Sequence, residues 1–278
     1  MMRLEIARTT IDLNCNGKCN YLRLPVFVKS EGEDADLTIS HEILHEFPNK
    51  RLIYSEKDLF FWYEVPAGYR LEVYYPKANS PYAALEADRD WQHAVLYGAE
   101  ERESCLFEGV LGEVLFRNSI IRRGGLQIHS AAISYNSESI LFSAPSGTGK
   151  TTQARLWMKH FGASMIQGDR PAMLVQNTEA FACGTPWVGS DPMFENTCQP
   201  VRAIVFIEQA SANEVKRLSS KEAICLLAPR CFLPYFSKEM MQESMNVIEN
   251  LIKIVPCFLL KCTPEKESAE LLHSFLEN

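Results

Sequence analysis

Lys150 and Thr151 close the run APSGTGKT at residues 144–151, a pattern that fits a phosphate-binding loop with alanine at the first glycine position. Gly147 and Gly149 let the backbone double back, so that successive N–H groups face one anion-sized space. A helix starting near Lys150 adds its positive end and its unpaired amides. The Lys150 ammonium can reach a β- or γ-phosphate, and the Thr151 hydroxyl can hold Mg²⁺. The nucleotide-cradling set read from this run is Ala144, Pro145, Ser146, Gly147, Thr148, Gly149, Lys150, Thr151 and Thr152. Its context agrees with that reading, because a strand-like SILFS precedes it and a helix-like TTQARLWMKHFG follows. The plainer alternative is a glycine-rich turn that carries Lys-Thr by chance.

A phosphate loop also needs an acid at the end of a neighbouring strand. Asp169 closes ASMIQGD, 18 residues after Thr151, which leaves room for one helix, a glycine stop and a strand returning to the same edge. A carboxylate there can hold Mg²⁺ or accept a proton from an incoming hydroxyl. The metal candidates are therefore Thr151 and Asp169, and the catalytic candidates include Asp169 and Lys150. An ordinary strand-end aspartate would read the same way. Glu208, ending AIVFIE, is a second acid candidate, and Arg155 and Arg170 are candidates for neutralising phosphate charge. In CGTPWVGSDP, Gly184, Pro186, Gly189 and Pro192 fix a loop shape around Trp187 and Ser190. That loop either packs over a nucleotide or substrate, or is a rigid surface loop with Trp187 as its apolar anchor.

The elements that must position these residues fall into three stretches. Residues 1–98 carry short aromatic and β-branched runs such as YLRLPVFV, LIYSE, LFFWYEV and YRLEVYYP, split by Gly, Pro, Asp and Asn, and are expected to form an antiparallel β-rich domain. ISHEILHEF within it reads as a short helix, or as a strand beside a turn. Residues 99–125 read as one long connecting helix, with Phe107, Val110, Leu111, Val114, Leu115 and Ile121 at three- and four-residue intervals and Gly124-Gly125 as the stop. Residues 126–278 hold the loop. There LQIHSAAI and SILFSA are expected as paired strands, Ser219 and Glu222 as a capping box, and Met241, Met245, Ile248 and Ile252 as a core-facing helical stripe.

Composition excludes some classes of partner. The formal charge is −7 and no Lys/Arg run exceeds two residues, which argues against nucleic-acid binding. The longest apolar runs are far too short to cross a membrane, and the charged N-terminus reads as a strand rather than a leader, so a cytoplasmic protein is expected. The nine cysteines are an odd count, which with no leader fits reduced thiols. CNGKC, with Cys15 and Cys19, is half a metal site without a second pair; His41 and His45 stand at helical spacing without a third ligand and read as a solvent-facing pair.

Together, LQIHSAAISYNSESILFSAPSGTGKTTQARLW, GASMIQGDRPAMLV, CGTPWVGSD and RAIVFIEQ resemble the C-terminal domain of HPr kinase/phosphorylase and its relatives in the phosphoenolpyruvate carboxykinase-like P-loop superfamily. The resemblance spans about residues 120–278. It implies an α/β (α+β) fold, with a P-loop nucleotide-binding domain of the HPr kinase type on a mixed sheet beside the β-rich N-terminal domain. It also implies ATP as donor, Mg²⁺, and phosphoryl transfer to a hydroxyl of a small-molecule, peptide or protein acceptor. True HPr kinases assemble into hexamers, so it implies a homo-oligomer as well. Residue by residue, His129 matches a strand histidine near the phosphates, and Asp169 matches one acid of an Asp-Asp pair. The partner position is Gly168, a departure that leaves the second acid to Asp191 or the task to His129. A nucleotide-binding regulatory protein with little catalysis is the alternative that Gly168 favours.

Overall fold

The computed structural model describes residues 1–14, 21–30, 34–99, 103–189 and 191–277, with the backbone alone at 103–105. Cys15, Cys19 and Ser190 lie outside the described residues. The fold is mixed α/β and divides into two compact units, residues 1–123 with 234–241, and residues 124–233 with 242–278.

The first unit is built on an eight-stranded sheet. Its strands are β1 (Met2–Ile6), β2 (Thr9–Leu13), β3 (Leu37–Ile43), β4 (Arg51–Glu56), β5 (Phe60–Val65), β6 (Gly68–Val73), β7 (Ala83–Asp88) and β8 (His93–Gly98), in the order β1-β2-β3-β8-β7-β6-β5-β4. The sheet is not purely antiparallel as expected, because β3 runs parallel to both β2 and β8. ISHEI is strand and not helix. His41 is accordingly buried and bonds through Nδ1 to the Asn14 carbonyl, whereas His45 lies beyond the strand end. YLRLPVFV is not a strand either: Pro25 cannot donate to a ladder, and Leu24–Phe27 is a short 3-10 turn.

The stretch expected as one connecting helix is two, α1 (Glu103–Glu108) and α2 (Val110–Ile121), both within this unit. Gly109 caps α2 in an extended conformation, and Gly112 lets α2 approach the Phe107 carbonyl so closely that a Cβ would collide with it. Aromatic rings close one side of the sheet, with Phe236 stacked on Trp62 at 3.8 Å between centroids and Trp91 fully buried beside them.

The second unit carries β9 (Gly125–Gln127), β10 (Ser130–Tyr135), β11 (Glu138–Ser143), α3 (Lys150–Phe161), β12 (Ser164–Gln167), β13 (Ala172–Gln176), β14 (Glu179–Cys183), β15 (Cys198–Gln209), β16 (Glu214–Arg217), α4 (Ser220–Leu227), α5 (Lys238–Ile254, whose first residues belong to the other unit), β17 (Cys257–Cys262) and α6 (Lys266–Glu277). Its nine-stranded sheet runs β12-β10-β11-β15-β14-β13-β9, with β17 also against β15 and β16 against β17. Apolar residues from alternate positions of β10, β11, β15 and β17, among them Ile133, Phe142, Val205 and Leu260, meet Ala154 and Trp157 of α3 and Leu272 of α6 in one core. The capping box of α4 is present, with Ser219 and Glu222 bonding reciprocally. On α5 the buried positions are Met240, Ser244, Val247, Ile248 and Leu251, one step from the expected stripe: Met241, Met245 and Ile252 are only half-buried.

Two local departures matter for the site. LQIHSAAI is not one strand: β9 pairs with β13 while β10 pairs with β11 and β12, so the chain changes partners at Ile128 and His129. Cys183 and Cys198, expected as free thiols, are register partners across β14 and β15 and form a disulfide with a Cα–Cα distance of 4.1 Å. Their pairing is invisible in a sequence separation of 15 residues, because it depends on which strands neighbour each other. No helix among the described residues is long and apolar enough to cross a membrane.

Candidate functional site

Four strand ends determine where the candidate residues meet. β10 is antiparallel to both β11 and β12, so those two run the same way; β15 is parallel to β11, and β17 to β15. The carboxyl ends of β12, β11, β15 and β17 therefore share one edge of the sheet, the edge at which open α/β sheets hold ligands. The glycine-rich loop leaves β11 in the middle of that edge. Gly168 and Asp169 follow β12 on one side; on the other, Gln209 ends β15, Ala210 follows it, and Thr263 and Pro264 follow β17.

The loop has the backbone that its sequence requires. Gly147 and Gly149 have φ of +78° and +118°, and a Cβ on either would meet no atom within 4 Å. No side chain caps the start of α3, leaving its first-turn amides facing the loop space. Lys150 is buried, and its Nζ donates to the carbonyls of Ala144 (3.1 Å) and Pro145 (3.4 Å). Burial lowers its pKa, the nearby Asp169 carboxylate opposes that shift, and the Arg230 guanidinium adds to it. Thr151 is half-buried in the first turn of α3, and Ser146, Gly147 and Thr152 are exposed. Beside the loop, Gly149, Thr152, Gln153, Gln209, Cys262 and Thr263 help to line a cleft of about 510 Å³. The Gln209 amide donates to the Thr148 carbonyl, linking the end of β15 to the loop.

On the opposite side His129 and Asp169 meet. The His129 Nε2–H donates to Asp169 Oδ1 at 3.1 Å, and the Arg170 Nε–H donates to Oδ2 at 3.1 Å. Burial alone would raise the Asp169 pKa. The His129 hydrogen bond and charge, and then those of Arg170, outweigh it and hold the carboxyl below its ordinary range. The backbone keeps the pair in place, with Ser130 N–H donating to the Asp169 carbonyl and His129 N–H to the Arg230 carbonyl.

The 184–197 loop packs over the same corner. Gln167 Nε2 donates to the carbonyls of Thr185 and Trp187, Gly168 N–H to Met193, and Glu195 N–H to Ile166. Trp187 is 3% exposed, so it anchors this loop and does not stand over the cleft. Asp191 is 5% exposed, accepts from the Met193 N–H, and lies 3.5 Å from an Nη of the largely exposed Arg155. Arg170 is engaged with Asp169, and its guanidinium also lies 5.9 Å from the Phe232 ring centre. Glu208 faces solvent at the edge of β15, 4.0 Å from Lys261, and does not join the other acids.

Sequence reasoning did not find Arg230. It follows α4, some 80 residues beyond Lys150, and comes to the loop because Ile128 bridges to Cys231. No periodicity or motif marks it, and its nearness to Lys150 is legible only from the pairing. Among the described residues no group of three or more His, Cys, Asp or Glu side chains could by itself hold a metal ion. Hard oxygen donors from Thr151 and one or two carboxylates suit Mg²⁺, which is usually completed by phosphate oxygens and water.

No family model matches this sequence, and no curated protein matches it. A comparison of folds finds a likeness to the HPr(Ser) kinase/phosphatase from Coxiella burnetii, with 11% sequence identity over 55% of this chain and 88% of that one, at a TM-score of 0.33.

Proposed function

We propose that this protein is an ATP-dependent kinase that passes the γ-phosphoryl group to a hydroxyl of a small molecule, peptide or protein. The observation that carries the reading is the shared strand edge: an open glycine-rich loop with a buried Lys150 stands between the His129–Asp169 pair and an open cleft. The cleft takes the nucleoside, the loop takes the phosphates, and the acceptor enters from the Asp169 side.

Lys150 leaves the loop carbonyls for the β- and γ-phosphate oxygens, and the loop and first-turn amides spread the remaining negative charge. Thr151 and Asp169 would hold Mg²⁺, which when bound neutralises the phosphate charge. As the acceptor oxygen bonds to the γ-phosphorus, the bond to the β–γ bridging oxygen breaks, ADP leaves, and the hydroxyl proton passes to a carboxylate of the site. His129 keeps Asp169 aimed and ionised while Arg230 adds positive charge beside Lys150.

The test measures ATP binding by thermal shift, with and without Mg²⁺, for wild type and Lys150→Ala, together with transfer of labelled γ-phosphate to free serine and to Ser/Thr peptides. A melting-temperature rise that Lys150→Ala abolishes, with labelled acceptor formed, supports the kinase. Binding without transfer to any acceptor leaves the regulatory nucleotide-binding reading in its place. No shift in wild type removes both.

A further inference from the structure

The 184–197 loop lies against the His129–Asp169 corner of the second unit. A Cβ built on Gly189 would lie 2.1 Å from Asp169 Oδ2, and one built on Gly168 would lie 2.8 Å from the Asp191 Cβ. Each glycine thus makes room for an aspartate of the other segment. Neither has a positive φ, so the need for glycine is one of space and not of backbone conformation. With the loop seated in this way both oxygens of Asp169 are engaged. Oδ1 takes the His129 hydrogen bond, while Oδ2 takes that of Arg170 and faces the Gly189 backbone. An incoming hydroxyl reaches the carboxylate only when the loop lifts.

The base of the loop is the place where it can be released. Cys183 and Cys198 join its two ends, and one step inward the Gly184 N–H bonds to the Thr197 carbonyl. The two sulfurs differ in access, because Cys183 is fully buried and Cys198 only half-buried. Burial pushes the Cys231 and Cys257 thiols up to about 12, so neither supplies a thiolate from within. We infer that the Cys183–Cys198 bond is a thiol–disulfide exchange site for an external dithiol, and that its reduction frees the 184–197 loop from Asp169 and opens the acceptor side. The opening of the acceptor side rests on the kinase reading above; the exchange and the release of the loop do not.

The exchange runs in two steps. A thiolate of the dithiol bonds to Cys198 Sγ, the disulfide bond breaks, and Cys183 leaves as a thiolate. The Cα atoms are 4.1 Å apart, so Cys183 can attack the mixed disulfide and expel a monothiol. A dithiol escapes that return, because its second thiolate bonds to its own sulfur in the mixed disulfide and releases Cys198. Two electrons pass to the protein, the dithiol ends as a disulfide, and two protons finish on Cys183 and Cys198.

The experiment treats the oxidised protein with dithiothreitol, or with glutathione at equal thiol concentration, and caps free thiols with N-ethylmaleimide for mass mapping. Hydrogen exchange of the Gly168 and Glu195 amides, which tie the loop to the end of β12, reports its release. The ATP-induced thermal shift and transfer of labelled γ-phosphate to free serine and Ser/Thr peptides are measured in both redox states. Dithiothreitol is expected to free both cysteines while glutathione leaves them joined. Both amides should then exchange about tenfold faster, within the roughly 100-fold that closing a loop of this length contributes. Phosphate transfer should rise about tenfold with an unchanged response to ATP. Cys183→Ser/Cys198→Ser should match the reduced protein, and reduced wild type gives the same readings without any substitution. Exchange rates that reduction leaves unchanged overturn the inference, as does transfer that slows on reduction. Faster exchange with no transfer in either state supports the exchange site and the loop release, and it is the kinase reading that then falls.

Discussion

His129 and Asp169 meet at 3.1 Å although they belong to different strand ends, and the contact exists because the chain changes sheet partners between β9 and β10. Had residues 126–133 formed one continuous strand, His129 would be an ordinary ladder position. The break turns it into a corner residue whose imidazole reaches the next acid.

That pair makes stability depend on acidity. Asp169 has its carboxyl pKa held below the unfolded value, so the folded state binds fewer protons there than the unfolded state. Its contribution is complete above the unfolded value near pH 4 and is lost as pH falls through the lower folded value. Asp169→Asn is expected to lower the unfolding free energy by about 1–2 kcal/mol at pH 7, with the gap to wild type narrowing as pH falls below the unfolded value. Urea unfolding of both proteins at pH 7, 4 and 3 measures it. A gap that widens toward acid contradicts the assignment.

The Arg230 charge adds to the burial that lowers the Lys150 pKa, against the Asp169 carboxylate that raises it, so both cations stand where an added phosphate charge would be felt. Lys150→Ala is expected to weaken ATP binding about 10- to 100-fold, and Arg230→Ala about 10-fold, each measured by calorimetric titration. Both losses should shrink for ADP relative to ATP if the charges serve the γ-phosphate. Equal losses for the two nucleotides would assign the cations to the inner phosphates instead.

Trp157 fixes α3 and, through it, the start of the loop. It is 1% exposed and packs among Tyr135, Phe161 and His273, with ring centroids 5.1–5.7 Å away. Trp157→Ala is expected to cost about 3–5 kcal/mol, because the hole is lined by rigid rings that cannot close over it. Chemical denaturation reads that loss directly, and a cost under about 1 kcal/mol would mean that the core refills.

The Cys183–Cys198 disulfide closes the base of the 184–197 loop. A closed loop of this length is worth about 3 kcal/mol in the chain-entropy description. The Cys183→Ser/Cys198→Ser variant, and wild type in excess dithiol, should melt several degrees lower than the oxidised protein. Coincident melting of all three would show that the strand ladder and the Gln167 contacts hold the loop unaided.

How much of this was readable from the sequence differs by element. The glycine-rich loop, the strand before it and α3 after it are local, and their punctuation by Gly147, Gly149 and Gly162 is legible one residue at a time. The placing of Asp169 at the end of β12 follows from counting a helix and a returning strand. What could not be read is pairing between distant segments. The parallel placing of β3, the split at Ile128 and His129, the Cys183–Cys198 match and the approach of Arg230 all depend on which strands become neighbours. ISHEILHEF left a helix and a strand both open for the same cause, since its spacing fits a helix and only the sheet around it selects the strand.

The mutual seating of Gly168 with Asp191 and of Gly189 with Asp169 also governs how this sequence can drift. A side chain cannot be gained at 168 while Asp191 keeps its place, nor at 189 while Asp169 keeps its own. A side chain can be gained at 168 only along a route that first moves or discards the one at 191. Substitutions here should therefore arrive in coupled pairs, and the four positions behave as one heritable unit although they lie some 20 residues apart in the chain.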